Sequence, residues 1–231
     1  MSSTAAAVYA SELVKLRYGL PLWRPEPTKF GEVEIGDVGF VLDGALYRLF
    51  NAMRPATDPL NSRGVPEGFI QFLVDEKEFL HVDDSYLPPG PVCTSSTKFS
   101  NVQAGLQAST GVAGAGVSYS FSCNATRGAI AVLGDSGRQE RYIHSQDLRA
   151  YVQTYHRTWL DFARTKRYDV DKFDMVFVYG WVKTSKWALA TYTSQDTDHQ
   201  LSFAATANGA LVQRVTQGAI PTGHAEINAY F

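Results

Sequence analysis

The histidines of this chain are the first residues to consider for catalysis, because an imidazole can transfer a proton near neutral pH. His144, His156 and His224 could each form an acid–base pair with a carboxylate such as Asp147 or Glu226. No spacing along the sequence establishes that such a pair forms. An enzyme of unknown class is therefore the third hypothesis, and we assign no catalytic residue.

Metal-binding chemistry has a weaker basis in this sequence. His81 lies in an acidic run between Glu76 and Asp84, but it has no second imidazole nearby. Cys93 and Cys123 fit neither a zinc-ligand spacing nor a redox pair, and free thiols in a reducing compartment are the simpler interpretation. We therefore assign no metal and no cofactor.

A segment of 28 residues, from Phe99 to Thr126, contains no charged side chain. Apolar and small polar residues alternate over 102–109 and again over 117–124, on either side of a glycine-rich joint at 111–116. This alternation predicts a β-hairpin with one apolar face and one uncharged polar face. A soluble strand usually carries Lys or Glu on its wet face, whereas a strand that enters a bilayer keeps charge off its lipid side. Both interpretations remain open.

The other patterns predict an α+β fold: a twisted antiparallel sheet of long hairpins, one main amphipathic helix over 145–164 and short accessory helices. Ser145 can cap the main helix, and its apolar stripe runs from Leu148 to Phe162. We predict further elements as follows: a short helix over 11–18, a strand from Val33, a bulge or close packing at Gly36 and Gly39, a helical turn over 45–53, strands over 69–74, 128–133 and 225–231, and a second hairpin from 175–182 and 187–193.

The chain shows no internal repeat and no disordered linker, so we predict a single domain over residues 1–231. Within it we distinguish a basic amino-terminal arm, residues 1–30, and a loop-rich insert, residues 54–68.

Charge is distributed unevenly, although the net charge of the 231 residues is only −2. Residues 31–90 hold eleven acids and four bases, whereas residues 127–167 hold eight bases and four acids. The basic part can favour an anionic surface. No signal peptide and no apolar run long enough for a transmembrane helix is visible. We expect a cytoplasmic protein with no nucleic-acid partner.

Two short sequence motifs and the order of the predicted elements suggest a family. Val33-Glu-Ile-Gly-Asp-Val38 follows the basic aromatic arm, and Ile220-Pro221 leads into a last strand that ends in aromatic residues. In this order the chain resembles the pore-forming amino-terminal domain of gasdermins. Separately, the phrases at 35–40, 45–51 and 185–190 are similar to those of an uncharacterised family of mushroom-forming fungi, which suggests a fungal source and implies no activity.

The gasdermin resemblance implies that residues 99–133 and 175–203 extend into membrane strands, while the basic arm and the Arg-rich helix face acidic lipid. The expected function is to oligomerise, with like or unlike copies, and to permeabilise membranes in cell death or defence. The protein would associate with membranes on activation. The lipid-binding residues implied are Lys15, Arg17, Arg24, Arg149, Arg157 and Arg164. The membrane-inserting residues implied are Val102, Leu106, Val117, Tyr119, Phe121, Phe177 and Trp187.

The alternative is a soluble binding module for a small ligand or partner. Its sheet and long helix would enclose an apolar pocket lined by aromatic side chains. The candidates are Trp159, Trp181, Trp187, Tyr151 and Tyr179.

Overall fold

The structure is a computed structural model that describes residues 4–94, 97–106, 115–123, 127–143, 145–193, 199–205 and 211–214. The fold is α+β, as the sequence predicts. Its helices are α1 (Ala5–Leu13), α2 (Glu76–Phe79) and α3 (Gln146–Thr165), with 3-10 turns at Val14–Leu16 and Pro59–Asn61. Its strands are β1 (Asp37–Leu42), β2 (Ala45–Asn51), β3 (Leu80–Leu87), β4 (Gly90–Cys93), β5 (Thr97–Leu106), β6 (Ala115–Cys123), β7 (Arg127–Leu133), β8 (Gly137–Tyr142), β9 (Met175–Phe177), β10 (Gly180–Lys183), β11 (Trp187–Thr193), β12 (His199–Ala205) and β13 (Leu211–Arg214).

The described strands form four sheets. Three have three strands each, in the orders β2-β1-β9, β10-β8-β3 and β11-β7-β4. The fourth has four strands, in the order β13-β12-β6-β5. The pairs within the first, third and fourth sheets are antiparallel. The hairpin expected from the uncharged segment is thus confirmed as the β5–β6 pair.

The chain divides into two compact units, each built from separate stretches of sequence. Unit 1 comprises residues 1–23, 85–137 and 183–231, and unit 2 comprises residues 24–84 and 138–182. Each unit has buried apolar clusters of its own. The expectation of a single domain stays a prediction.

Helix α3 organises the core of unit 2, and its predicted position is confirmed. Ser145 caps it by accepting a hydrogen bond from the Leu148 amide at 3.0 Å. The apolar stripe is buried, and Trp159 packs against Phe50 edge-on and against Phe177 face to face.

A buried polar network holds the strand pair β1–β2. Asp37 is fully buried and accepts hydrogen bonds from Arg48 Nε at 2.6 Å and from Asn51 Nδ2 at 2.9 Å. Arg48 also donates to the Phe30 and Glu32 carbonyl oxygens. The ion pair is therefore fully supported by hydrogen bonds, as a buried pair must be.

The same network fixes the loop-rich insert. The side chain of buried Asn61 accepts a hydrogen bond from the Asn51 amide at 2.6 Å and donates to the carbonyl oxygens of Asn51, Arg54 and Pro55. One amide side chain thus satisfies backbone groups that no sheet or helix pairs.

The predicted irregularity at Gly36 and Gly39 is confirmed. The β1–β2 register shifts between Val38 and Gly39. A Cβ at Gly39 would collide with the Tyr47 carbonyl oxygen, and Gly36 has φ +88°, a conformation that favours glycine.

Several predicted elements were wrong or misplaced. Residues 45–51 form strand β2 rather than a helical turn, because a strand that is buried on both faces shows no alternation. The amino-terminal helix begins at Ala5 rather than Ser11, where Thr4 caps it. Residues 69–74 form no strand. The predicted strand over 225–231 lies outside the described residues.

The second predicted hairpin is also wrong. Strand β9 pairs with β1, and β11 pairs with β7, so the two apolar runs belong to different sheets. Their partners lie more than 50 residues away in sequence. Local alternation cannot identify such partners.

Candidate functional site

The four-stranded sheet β13-β12-β6-β5 in unit 1 contains most of the uncharged segment. Its register places Val102 opposite Tyr119, and Tyr119 opposite Phe203. The neighbouring row places Gln103 opposite Ser118. Because successive residues of a strand belong to opposite faces, the apolar residue types share one face of β5 and β6, and the small polar types share the other.

This sheet contains few ionisable residues. Among the described residues of its four strands, Lys98, His199 and Arg214 are the only basic residues, no Asp or Glu is present, and each of the three lies at or next to a strand end. Its outer strands are β5 and β13, and no described strand pairs with the outer edge of either. From Phe99 to Leu106 the outer strand β5 carries no charged residue, whereas soluble proteins normally block an outer strand with charge or proline.

Phe121 anchors one end of the apolar face. It is fully buried in a cluster with Ile130 and Val132 of β7 and with Ala190 and Tyr192 of β11. To serve as a membrane-inserting residue, Phe121 must therefore leave this cluster. Positions 102, 106, 117 and 119 lie on β5 and β6 on the same face, by register.

The amino-terminal arm places basic and apolar side chains side by side. Arg17 follows the 3-10 turn Val14–Leu16 and adopts a left-handed conformation with φ 64°. Lys15 and Arg17 are flanked by exposed apolar side chains, and these are Val14, Tyr18 and Leu20. Such a mixture is typical of segments that bind at the interface between water and lipid, where basic side chains contact acidic headgroups and apolar side chains insert below them.

Helix α3 presents a basic stripe on its exposed face. Arg149, Arg157 and Arg164 are separated by eight and seven residues, close to two helical turns, so they share one face. All three are exposed. Arg164 lies 3.5 Å from Asp161, whereas Arg149 and Arg157 form no side-chain hydrogen bond or ion pair with any residue that the structure describes. These two guanidinium groups remain available to an anionic surface.

Three other residues that were predicted to bind lipid or to insert into the membrane lie in different parts of the fold. Arg24 is exposed in unit 2. Phe177 is half-buried against the unit 2 core, and Trp187 is half-buried against the cluster beneath α1 in unit 1. For Phe177 and Trp187, insertion into a bilayer requires these contacts to break.

The aromatic candidates for a ligand pocket are mostly packing residues. The Tyr151 hydroxyl donates to the Ile70 carbonyl oxygen at 2.7 Å, and burial raises the pKa of Tyr151 to about 12. The Trp159 ring is buried and packs against Phe50 and Phe177, so it does not line an open pocket. Tyr151 and Trp159 both lie in unit 2. Trp187 lies in the other unit.

Of the three histidines considered for catalysis, the structure describes only His156. His156 is exposed, and its Nδ1 lies 2.9 Å from the Gln153 carbonyl oxygen on its own helix. His144, His224 and Glu226 lie outside the described residues. Within the described ranges, no three residues among His, Cys, Asp and Glu come together as metal ligands.

Sequence reasoning missed three buried charged residues, Glu12, Asp37 and Arg48. Glu12 lies on the buried face of α1, and its carboxylate receives Arg127 Nε at 2.8 Å and Lys15 Nζ at 2.6 Å. The signal was present for Glu12, since it takes the place of an apolar residue in the series Val8, Tyr9, Glu12, Leu13. It was obscured because the helix was predicted to begin too late.

Comparison of the chain with protein-family models, with curated proteins and with solved structures finds no match in any of the three. None of the helices in the described part of the chain has both the length and the apolar character that crossing a membrane requires.

Proposed function

We propose that this chain is a pore-forming protein of the gasdermin type, which oligomerises on acidic lipid and permeabilises membranes. The observation that carries the proposal is the sheet β13-β12-β6-β5. Its β5–β6 hairpin has strands of 10 and 9 residues, and a tilted strand needs about 9–11 residues to cross the hydrocarbon core.

The register supports the same proposal. In a membrane pore made of strands, one face of each strand meets lipid and the other meets the aqueous lumen. The apolar residue types of β5 and β6 fall on one face, and serine, glutamine and asparagine fall on the other. Neither face has a charge in the middle of these two strands.

The strand directions make assembly of copies straightforward. Four antiparallel strands in a row begin and end with strands of opposite direction. The β5 strand of one copy can therefore pair with the β13 strand of the next copy in the same antiparallel pattern. Repetition of such a head-to-tail contact gives a ring when the rotation closes.

The basic arm and the α3 stripe supply the membrane attraction. Each Lys or Arg near an acidic bilayer contributes about 1 kcal/mol of binding free energy. Arg17, Arg149 and Arg157 can contribute in this way, Lys15 can do so once its Nζ leaves the Glu12 carboxylate, and the exposed apolar side chains beside Arg17 add burial at the interface. Action in cell death or defence, from a cytoplasmic precursor, is the role that we infer from the gasdermin resemblance.

Dye release from vesicles tests the proposal. We expect the protein to release dye from vesicles of phosphatidylserine and phosphatidylcholine and to release far less from phosphatidylcholine alone. Absence of release from acidic vesicles, with the protein folded by circular dichroism, would contradict pore formation.

A matched pair of substitutions separates the two faces of β6. Val117→Lys places a charge on the face proposed to meet lipid, at a cost of about 2–4 kcal/mol near mid-bilayer, and should reduce release more than tenfold. Ser118→Lys adds the same charge to the neighbouring position, on the face proposed to meet water, and should leave release largely intact. Equal effects of the two substitutions would rule out a two-faced membrane strand.

A further inference from the structure

Helix α1 has a carboxylate on the face that it buries. Val8, Tyr9, Glu12 and Leu13 are its buried residues, and Glu12 is only 4% exposed. An apolar residue at this position would dock the helix at least as well, since a buried ion pair seldom adds net stability over apolar packing. The choice of a carboxylate therefore points to a role other than permanent docking.

The partners of Glu12 lie partly in water. One carboxylate oxygen accepts a hydrogen bond from Arg127 Nε and the other from Lys15 Nζ, while the two basic side chains are 51% and 57% exposed. All three groups regain full hydration when α1 leaves. Separation is thus less costly than it would be for an apolar anchor of the same size.

Strand β7 is held from both of its faces. Ala129 and Ala131 pack beneath Tyr9 and Leu13 of α1. The alternate residues Ile130 and Val132 pack against Phe121 of the uncharged hairpin. Arg127 is the first residue of β7, at the end of the strand that lies nearest in sequence to the β5–β6 hairpin. The Glu12–Arg127 ion pair therefore attaches this end of β7 to α1.

We infer that α1 is a releasable restraint: its Glu12–Arg127 contact holds β7 against Phe121 and so delays the movement of the β5–β6 hairpin towards a membrane. The inference rests on the proposed function, because it concerns the step by which Phe121 leaves its cluster. Because β7 is paired with β11 and β4 on its two edges, detachment of α1 uncovers one face of this three-stranded sheet, whose other face packs against Phe121 and can then separate from the hairpin as a unit.

Two substitutions remove the same contact with opposite changes in net charge. Glu12→Gln and Arg127→Gln should each make the amides of α1 exchange with deuterium about tenfold faster, as expected for loss of a charge-assisted hydrogen bond. Each should also accelerate dye release from vesicles of phosphatidylserine and phosphatidylcholine several-fold over wild type. Arg127→Lys retains a cation and should lie close to wild type.

The matched controls are Glu26→Gln and Arg54→Gln, which change net charge equally at exposed positions of unit 2. Neither should alter exchange in α1 or accelerate release. Unchanged exchange of β1, β2 and α3 amides in all variants confirms that unit 2 stays folded.

The outcomes distinguish the two proposals. Faster α1 exchange and faster release in both Gln variants, but not in their controls, supports the restraint. If wild type releases dye and the Gln variants release it no faster than their controls, the restraint is overturned and pore formation stands. If α1 exchange is unchanged, the contact does not hold the helix and the inference also fails. Absence of release from wild type overturns the proposed function, and the restraint on release with it.

Discussion

At the scale of single residues, the most consequential group in unit 2 is Asp37. Its carboxylate joins Arg48, Asn51 and the Glu34 amide, so one side chain connects β1 to β2 and to the turn before β1. The sequence shows Asp37 inside the motif Val33-Glu-Ile-Gly-Asp-Val38. It does not show the partner, because Arg48 lies 11 residues away and reaches Asp37 only after the two strands pair.

Loss of the Asp37 charge should destabilise the protein strongly. Asp37→Asn keeps the shape of the side chain and leaves the Arg48 guanidinium buried without its anion, so we expect the free energy of unfolding to fall by about 3 kcal/mol. Denaturant titration followed by circular dichroism measures this change.

Asp43→Asn is the matched control for this prediction. Asp43 is exposed with φ 50°, a conformation that asparagine accepts as readily, so its substitution should change stability by less than about 0.5 kcal/mol. A similar loss in both variants would show that the buried pair does not stabilise the fold.

At the scale of elements, helix α3 was predictable and most of the short strands were not. Its apolar stripe, its Ser145 cap and its length all indicate the same structure, so local information suffices. Strand β9 depends on a distant partner, β1, and strand β2 is buried on both sides, and neither condition leaves a local pattern. The β5–β6 hairpin was predictable because its two strands are neighbours and alternate without interruption.

The exposed face of α3 should determine much of the affinity for acidic membranes. Replacing Arg149 and Arg157 by Gln removes two cations that form no side-chain ion pair with any described residue, and about 1 kcal/mol each predicts a roughly thirtyfold weaker binding. Co-sedimentation with phosphatidylserine vesicles measures the change, which should shrink as salt is raised.

A control for the α3 prediction removes two exposed bases elsewhere in unit 2. Arg54→Gln with Lys77→Gln gives the same net charge, and it should weaken vesicle binding only a few-fold. Equal weakening by both double variants would mean that total charge, rather than the stripe on α3, attracts the protein to lipid.

At the scale of the whole molecule, the sequence indicated the fold class and an uncharged hairpin, and the chain divides into two compact units without a local signal of that division. That division depends on which strands pair across long stretches of chain. The four-stranded sheet in unit 1 also extends the hairpin by β12, whose pairing with β6 spans about 80 residues, and by β13, which pairs with β12. Such a contact has a large loop-closure cost and no local signature.

If copies assemble through the outer strands of this sheet, β5 of one copy contacts β13 of the next. With Cys93 and Cys123 replaced by Ala, one protein carries Gln103→Cys on β5 and a second carries Val212→Cys on β13. A head-to-tail contact brings different strands together, so on acidic vesicles the mixture should form disulfide dimers between the two proteins. Each protein alone should form few, because β5 then meets a β13 that has no cysteine. Non-reducing electrophoresis reads the result, and vesicles of phosphatidylcholine alone serve as the control. Dimers that form equally well from Gln103→Cys alone would indicate a symmetric β5–β5 contact, which closes after two copies and cannot build a ring.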